Sequence, residues 1–147
     1  MEKILFICNA NIGRSQMAES IFNNVAKSHF SISAGTDVNY EGAKIHSLNI
    51  DCMAEIGLDL SKNKRTQLTE EISKQSSKII AMCEKNSLPN YLIKKKIIFW
   101  KVSDPKNKSL MFRRNIRDQI KKLVNGLVKD LENIKQVKGG NKSNGNK

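Results

Sequence analysis

Cys8, Arg14 and Ser15 fall within a single turn of chain, in the stretch Lys3-Ile-Leu-Phe-Ile-Cys8-Asn-Ala-Asn-Ile-Gly-Arg14-Ser15. A cysteine thiolate is a nucleophile, and the planar fork of an arginine can hold two oxygens of a phosphate or arsenate group. The apolar run Ile4 to Ile7 reads as a buried strand that stops at the cysteine. After Ser15, Met17, Ile21 and Val25 recur at helical spacing. A strand that ends at a nucleophile, turns and enters a helix aims several backbone N–H groups and a positive dipole end at one point, which suits a tetrahedral oxyanion. The backbone from Asn9 through Ala10, Asn11, Ile12, Gly13 and Arg14 to Ser15 is the expected cradle for its oxygens and for charge built up in a transition state. The helix end and Arg14 favour thiolate over thiol at Cys8. The Ser15 hydroxyl is placed to donate to that sulfur, and Asn11 to hold the loop's shape through side-chain bonds to its backbone.

Displacement at a phosphorus ester also needs a proton for the leaving oxygen. Asp104 is the candidate general acid, in Ser103-Asp104-Pro105 after an apolar run, where Pro105 keeps the turn out of the following helix. An ordinary Asp-Pro turn is the plainer reading of that tripeptide alone; the Cys8–Arg14 loop changes the balance.

The elements that must bring these residues together follow from the apolar pattern. Residues 3 to 8 form a central strand, 14 to 28 a helix, Phe30 to Gly35 a second strand, and 45 to 57 a helix ending at Gly57. Cys52 lies on the apolar stripe of that helix and reads as a core thiol. A short helix near Leu68 to Gln75, strands at 78–83 and 97–102, and a short helical segment near 89–94 follow. A long last helix then has Ile116, Ile120, Leu123, Leu127, Leu131 and Ile134 as its seam. Strands alternating with helices imply an α/β fold, one domain over 1–137, with a four-stranded parallel sheet, helices on both faces and a phosphate-binding loop after the first strand. Cys8, Gly35, Cys83 and the Ser103-Asp104 turn all fall at carboxyl ends of strands, where ligands bind in such sheets. Residues 138–147, without an apolar side chain, are expected to be a disordered basic tail.

Composition narrows the function. The 147 residues carry a net charge of +12, but the Lys and Arg residues are spread along the chain with Lys94-Lys95-Lys96 as the tight run. No aromatic and basic interleaving of the single-strand-binding kind occurs, so a specific nucleic-acid partner is not expected. The positive field would instead draw in phosphorylated or arsenate-like substrates. Three cysteines without a secretory leader do not make a disulfide framework, no cysteine pair has zinc-ligand spacing, and His29 and His46 add little. No cofactor, metal or membrane partner is expected, and the chain reads as cytoplasmic.

Cys8-Asn-Ala-Asn-Ile-Gly-Arg14-Ser15 resembles the phosphate-binding loop of the low-molecular-weight protein tyrosine phosphatases, a superfamily that includes thioredoxin-coupled arsenate reductases. The resemblance extends to Ser33-Ala-Gly-Thr36, Gly57-Leu-Asp-Leu-Ser61, Asp104-Pro105 and Arg117-Asp-Gln-Ile120. It implies Cys8 as nucleophile, Arg14 as oxyanion clamp and Asp104 as general acid. The phosphatases usually have glycine at the position of Ala10, a second cysteine at Gly13, and two tyrosines where Lys106 and Asn107 stand here. Ser15-Gln-Met-Ala-Glu19 is closer to the reductases, as is Cys83, where those enzymes carry a second redox cysteine. Their third cysteine is absent: the chain reads Ser87-Leu-Pro89-Asn90 there. The expected function is hydrolysis of phosphotyrosine or another phosphate monoester, with a phosphoprotein as one substrate class, through a cysteinyl-phosphate intermediate. The alternatives are arsenate reduction through Cys8 and Cys83 with an external thiol reductant, and a non-catalytic oxyanion- or phosphopeptide-binding module.

Overall fold

The computed structural model describes residues 2–144, with side chains described as far as Asn133. Its elements alternate: β1 (Glu2–Cys8), α1 (Arg14–Val25), β2 (His29–Gly35), α2 (Ser47–Ala54), α3 (Glu70–Lys74), β3 (Lys78–Ala81), β4 (Ile97–Phe99) and α4 (Leu110–Asn144). Two 3₁₀ turns, Lys85–Ser87 and Asn90–Leu92, join β3 to β4. The strands form one parallel sheet in the order β2-β1-β3-β4. The chain moves outward from β1 to β2, then returns to the other side of β1 for β3. That reversal makes the carboxyl end of β1 the topological switch point, and Cys8 is its last residue.

The period-two alternation of β1 divides the core. Ile4 and Phe6 face one layer with Met17, Phe22, Cys52, Met53, Ile116 and Ile120, contributed by α1, α2 and α4. Leu5 and Ile7 face the other, with Leu68, Ile79, Leu88 and Leu92, so α3 and the 3₁₀ turns cover that side. Helices on both faces of a four-stranded parallel sheet are what the pattern of the sequence implies. Cys52 is a buried core thiol, and Trp100 packs its ring against Phe6 at 5.7 Å between centroids.

Several boundaries differ from expectation. α1 stops at Val25 because Ala26 is already extended, and α2 begins only after His46, whose Nδ1 accepts from Leu48 N at 3.1 Å. β3 and β4 are shorter than their apolar runs, ending at Ala81 and Phe99. On α4 the buried seam includes Val124 and Val128 beside Ile116, Ile120, Leu127 and Leu131. Its backbone passes Val137 to Asn144. The expected 137 boundary and 138–147 tail therefore fall where α4 is described by backbone alone, and residues 145–147 lie outside the described residues. Among the described residues, no helix is long and apolar enough to cross a membrane.

α2 is clasped to α4 by one carboxylate. Glu55 accepts from Arg114 Nε and Nη2 at 2.9 and 2.6 Å and from Arg117 Nη1 at 2.7 Å. Those hydrogen bonds lower its pKa from 4.5 to about 2. The ionised form is thus favoured by folding, so its contribution is complete above about pH 4.5 and is lost as pH falls toward 2. Urea midpoints measured against pH should show a wild-type decline over that window that Glu55→Gln lacks; parallel curves would mean the clasp is energetically silent.

Candidate active site

Between Cys8 and α1 the backbone folds into a loop whose centre is Asn11. This residue has a positive φ of 56°, a conformation asparagine tolerates better than most residues. Ala10 beside it needs no such conformation. The Asn11 side chain is fully buried and all its hydrogen-bonding capacity is engaged. Its Oδ1 accepts from Thr66 N at 2.8 Å and Gln16 Nε2 at 2.9 Å; its Nδ2 donates to Ser15 Oγ at 2.8 Å and Ser33 Oγ at 3.0 Å. The partners expected within the loop's own backbone are therefore replaced by partners from α1, β2 and the segment before α3. The Thr66 N–H can only donate, which fixes the amide orientation. Ser15 Oγ, which accepts from Asn11, lies 2.9 Å from Cys8 Sγ and can donate its own proton to that sulfur when it is a thiolate. Beside Ser33 lies the Glu19 carboxyl, whose pKa burial pushes up.

Arg14, the first residue of α1, is buried. Its Nη1 donates to Met82 O and, at 3.0 Å, to Val102 O. Met82 directly follows β3 and Val102 lies three residues past β4, so the arginine takes up carbonyls that strand pairing does not. Nη2 stands 3.9 Å from Asp104 Oδ2, leaving one edge of the guanidinium toward the loop. The N-terminus of α1 has no side-chain cap: Gly13 at the cap position supplies none. The orphan amides of its first turn stay open to a ligand.

Asp104 is half exposed, and its Oδ1 accepts from Lys106 N at 3.0 Å, which sets the turn. Pro105 packs against the loop so closely that a Cβ on Gly13 would lie 2.9 Å from its Cγ and 3.2 Å from Asn49 Nδ2. Asn49, from α2, donates to Ile12 O at 3.0 Å and accepts from Arg113 Nη1 at 2.7 Å, joining loop, α2 and α4. On the β2 side, Thr36 N and Asp37 N donate to Cys8 O and Asn9 O, both at 2.9 Å.

The result is a cavity of about 480 Å³ lined by Cys8, Ala10, Ile12, Gly13, Arg14 and Asp104. Asn9, Asn11 and Ser15 support the loop from outside that lining. Cys83 is buried in the opposite core layer with Ile7 and Ala81. Burial, and then the charge of Cys8, push its thiol up to about 11. Tyr40 also reaches the lining, at 84% exposure. His46, Asn49, Arg65, Lys108 and Arg113 also line it and were not singled out in the sequence, because separate loops and helices bring them there. Among the described residues no cluster of His, Cys, Asp and Glu could hold a metal ion.

Gly35 measures how tightly the loop is seated. A Cβ there would lie 2.6 Å from Asn9 O and 2.9 Å from Asn11 N, backbone atoms that cannot swing aside. Gly35→Ala is expected to destabilise by about 1–3 kcal/mol in urea unfolding. Gly126→Ala, in open space on α4, should stabilise by about 0.5–1 kcal/mol. Equal midpoints for the two variants would refute this reading of the loop.

These geometries have counterparts among known proteins. The chain is 27% identical over 130 residues to the glutaredoxin arsenate reductase of Synechocystis sp., covering 87% of this chain and 97% of that one. It is 30% identical over 123 residues to an arsenate reductase of Staphylococcus aureus, covering 80% and 89%. Its fold matches the low molecular weight protein tyrosine phosphatase of T. tengcongensis with a TM-score of 0.79 at 26% identity, covering 88% of this chain and 99% of that one. A family model, low molecular weight phosphotyrosine protein phosphatase, matches residues 3–137. With a cysteine at the switch point, an uncapped helix behind it and that match along nearly its whole length, the chain belongs to the low molecular weight phosphotyrosine protein phosphatase family of cysteine-dependent enzymes.

Proposed function

We propose that the protein hydrolyses phosphate monoesters by double displacement at Cys8. The observation that carries this reading is the convergence of Cys8, the open edge of Arg14 and the half-exposed Asp104 on one cavity. The phosphate sits with its non-bridging oxygens on the loop amides and the free edge of Arg14. The Cys8 thiolate attacks phosphorus in line, the P–O ester bond breaks, and Asp104 gives its proton to the departing oxygen. Asp104, now a carboxylate, takes a proton from a water that attacks the cysteinyl phosphate. The P–S bond breaks, and sulfur leaves as a thiolate steadied by the Ser15 proton. Ser15 owes that orientation to Asn11, so Asn11 acts as a positioning residue.

Arsenate reduction is the second reading, favoured by the names of the relatives and by Cys83, close enough to Cys8 for its charge to be felt. There Cys8 joins arsenic(V) with loss of water. A second thiol then attacks Cys8 Sγ, and the As–S electron pair leaves on arsenic as arsenite. Two thiols are oxidised to a disulfide, which an external thiol must reduce. Cys83 is the internal candidate, but as a buried thiol held near 11 it is protonated at neutral pH and a poor nucleophile in this conformation.

Hydrolysis of p-nitrophenyl phosphate from pH 5 to 8 tests the proposal. Wild type should turn over steadily, Cys8→Ser should not, and Asp104→Asn should lose about 10²- to 10⁴-fold in kcat. Turnover that survives in Cys8→Ser, or none in wild type, would exclude it. Arsenite release from arsenate plus a thiol donor, abolished in Cys83→Ser, would then select the second reading.

A sharper test addresses the amide relay. Asn11→Asp keeps both acceptor contacts but turns the donors to Ser15 and Ser33 into acceptors, so Ser15 should donate to residue 11 instead of to sulfur. We expect kcat to fall by about 10²-fold, the size of one lost donor, with KM little changed. Unchanged kcat in a folded variant would remove Asn11 from the mechanism.

A further inference from the structure

We propose that the cavity mouth selects phosphotyrosine segments flanked by acidic residues, with Arg65, Lys106 and Lys108 as the specificity-determining side chains. This deepens the phosphomonoesterase reading and rests on it.

The charge inventory of the lining is one-sided. Besides Arg14 it contains Arg65, Lys106, Lys108 and Arg113, against Asp104 as the carboxylate among the lining residues. Arg113 is internal, its Nε donating to Lys108 O and its Nη1 to Asn49 Oδ1. The other three are not neutralised. Arg65 uses Nε and Nη1 on two carbonyls, Lys44 O and Asn39 O, each at 3.1 Å; this fixes the plane of the guanidinium and leaves its charge whole. Lys108 Nζ rests 5.2 Å above the Phe112 ring, a contact that orients the ammonium without cancelling it. Among the ion pairs of the described residues, none includes Arg65, Lys106 or Lys108.

These cations come from two separate segments. Arg65 lies between α2 and α3, held by the pairing of Lys44 with Lys64. Lys106 and Lys108 flank Asn107, whose φ of 61° turns the chain between β4 and α4. His46, also in the lining, feels Arg65: burial, then the charges of Arg113 and Arg65, lower its pKa. With Nδ1 accepting from Leu48 N, its ring stays a neutral donor toward the cavity.

The rest of the lining suits the phosphorylated residue itself. Ile12, Leu48 and the exposed Tyr40 ring supply apolar surface for an aryl group whose phosphate reaches Cys8. Lys106 and Lys108 are exposed. The anions they meet therefore belong to groups flanking the ester, outside the space that the ring fills. Unpaired cations at a recognition surface raise encounter rates with acidic partners and discourage basic ones.

The experiment compares kcat/KM for p-nitrophenyl phosphate and for three phosphotyrosine peptides with Glu, Ala or Lys flanks. The Glu peptide should exceed the Ala peptide by about five- to tenfold at low salt, the size of a few exposed ion pairs, with the Lys peptide lowest. The ratio should approach parity near 1 M salt. In Lys106→Glu/Lys108→Glu, and separately in Arg65→Glu, the ratio within each variant should fall or reverse. Hydrolysis of p-nitrophenyl phosphate with equal values for the three peptides, or a Glu preference that survives all these substitutions, overturns the inference and leaves the phosphatase reading standing. A chain that hydrolyses none of the four overturns both.

Discussion

A buried guanidinium with no close counter-ion is the constraint around which this fold is arranged. Arg14 is 7% exposed, and its Nη2 stays 3.9 Å from the Asp104 carboxylate. Burying such a charge is costly unless hydrogen bonds replace the water it has lost. Met82 O and Val102 O replace part of that water from one side. The opposite edge faces a loop of amides and an uncapped helix, both also short of acceptors. Three sets of donors thus share one deficit, and a tetrahedral oxyanion makes it good for all of them at once. The proposed preference of the site for phosphate-like groups rests on what the fold leaves unsatisfied.

Holding donors apart from acceptors requires a rigid frame, and the frame is polar. Asn11 joins α1, β2 and the segment before α3 through four side-chain bonds, and Asn49 joins the loop to α2 and α4 through two more. Both residues are at most 1% exposed. Fully satisfied buried amides specify one arrangement strongly, because any shift leaves a donor or acceptor stranded. Where the loop meets β2 and the Asp104-Pro105 turn there is no space for a Cβ, so Gly35 and Gly13 complete the frame by absence. An orderly loop is needed because the Cys8–Ser15 contact depends on which way one amide faces.

How much of this was legible in the sequence depends on the range of the interaction. β1, α1 and the loop between them are local, and Ile4 to Ile7 followed by Met17 and Ile21 is enough to reveal them. Asp104 could be read because a break after an apolar run falls at a strand's carboxyl end in any parallel sheet. The strand ends themselves could not, and neither could the use of Met82 O and Val102 O, beyond β3 and β4, by Arg14 far away in sequence. The type and place of Asn11 in the loop suggest a loop holder with backbone partners nearby, whereas Thr66 and Ser33 arrive only through tertiary packing. His46, Asn49, Arg65 and Arg113 carry no local sign of a place on the cavity. A histidine before a helix reads as a cap, and it is one; its place on the cavity depends on where α2 docks.

Hydrolysis and arsenate reduction share their first step, attack by Cys8 on a pentavalent centre, and differ in what reaches the adduct next. Water must approach the phosphorus from the open side, where Asp104 already stands half exposed. A thiol must approach the sulfur. Cys83 is 9% exposed, packed with Leu5, Ile7 and Leu88 on the face of the sheet opposite α1 and α4. Its ionisation is opposed first by burial and then by charge on Cys8. Water has an approach beside the half-exposed Asp104, whereas a relay through Cys83 starts from a buried thiol whose ionisation is opposed.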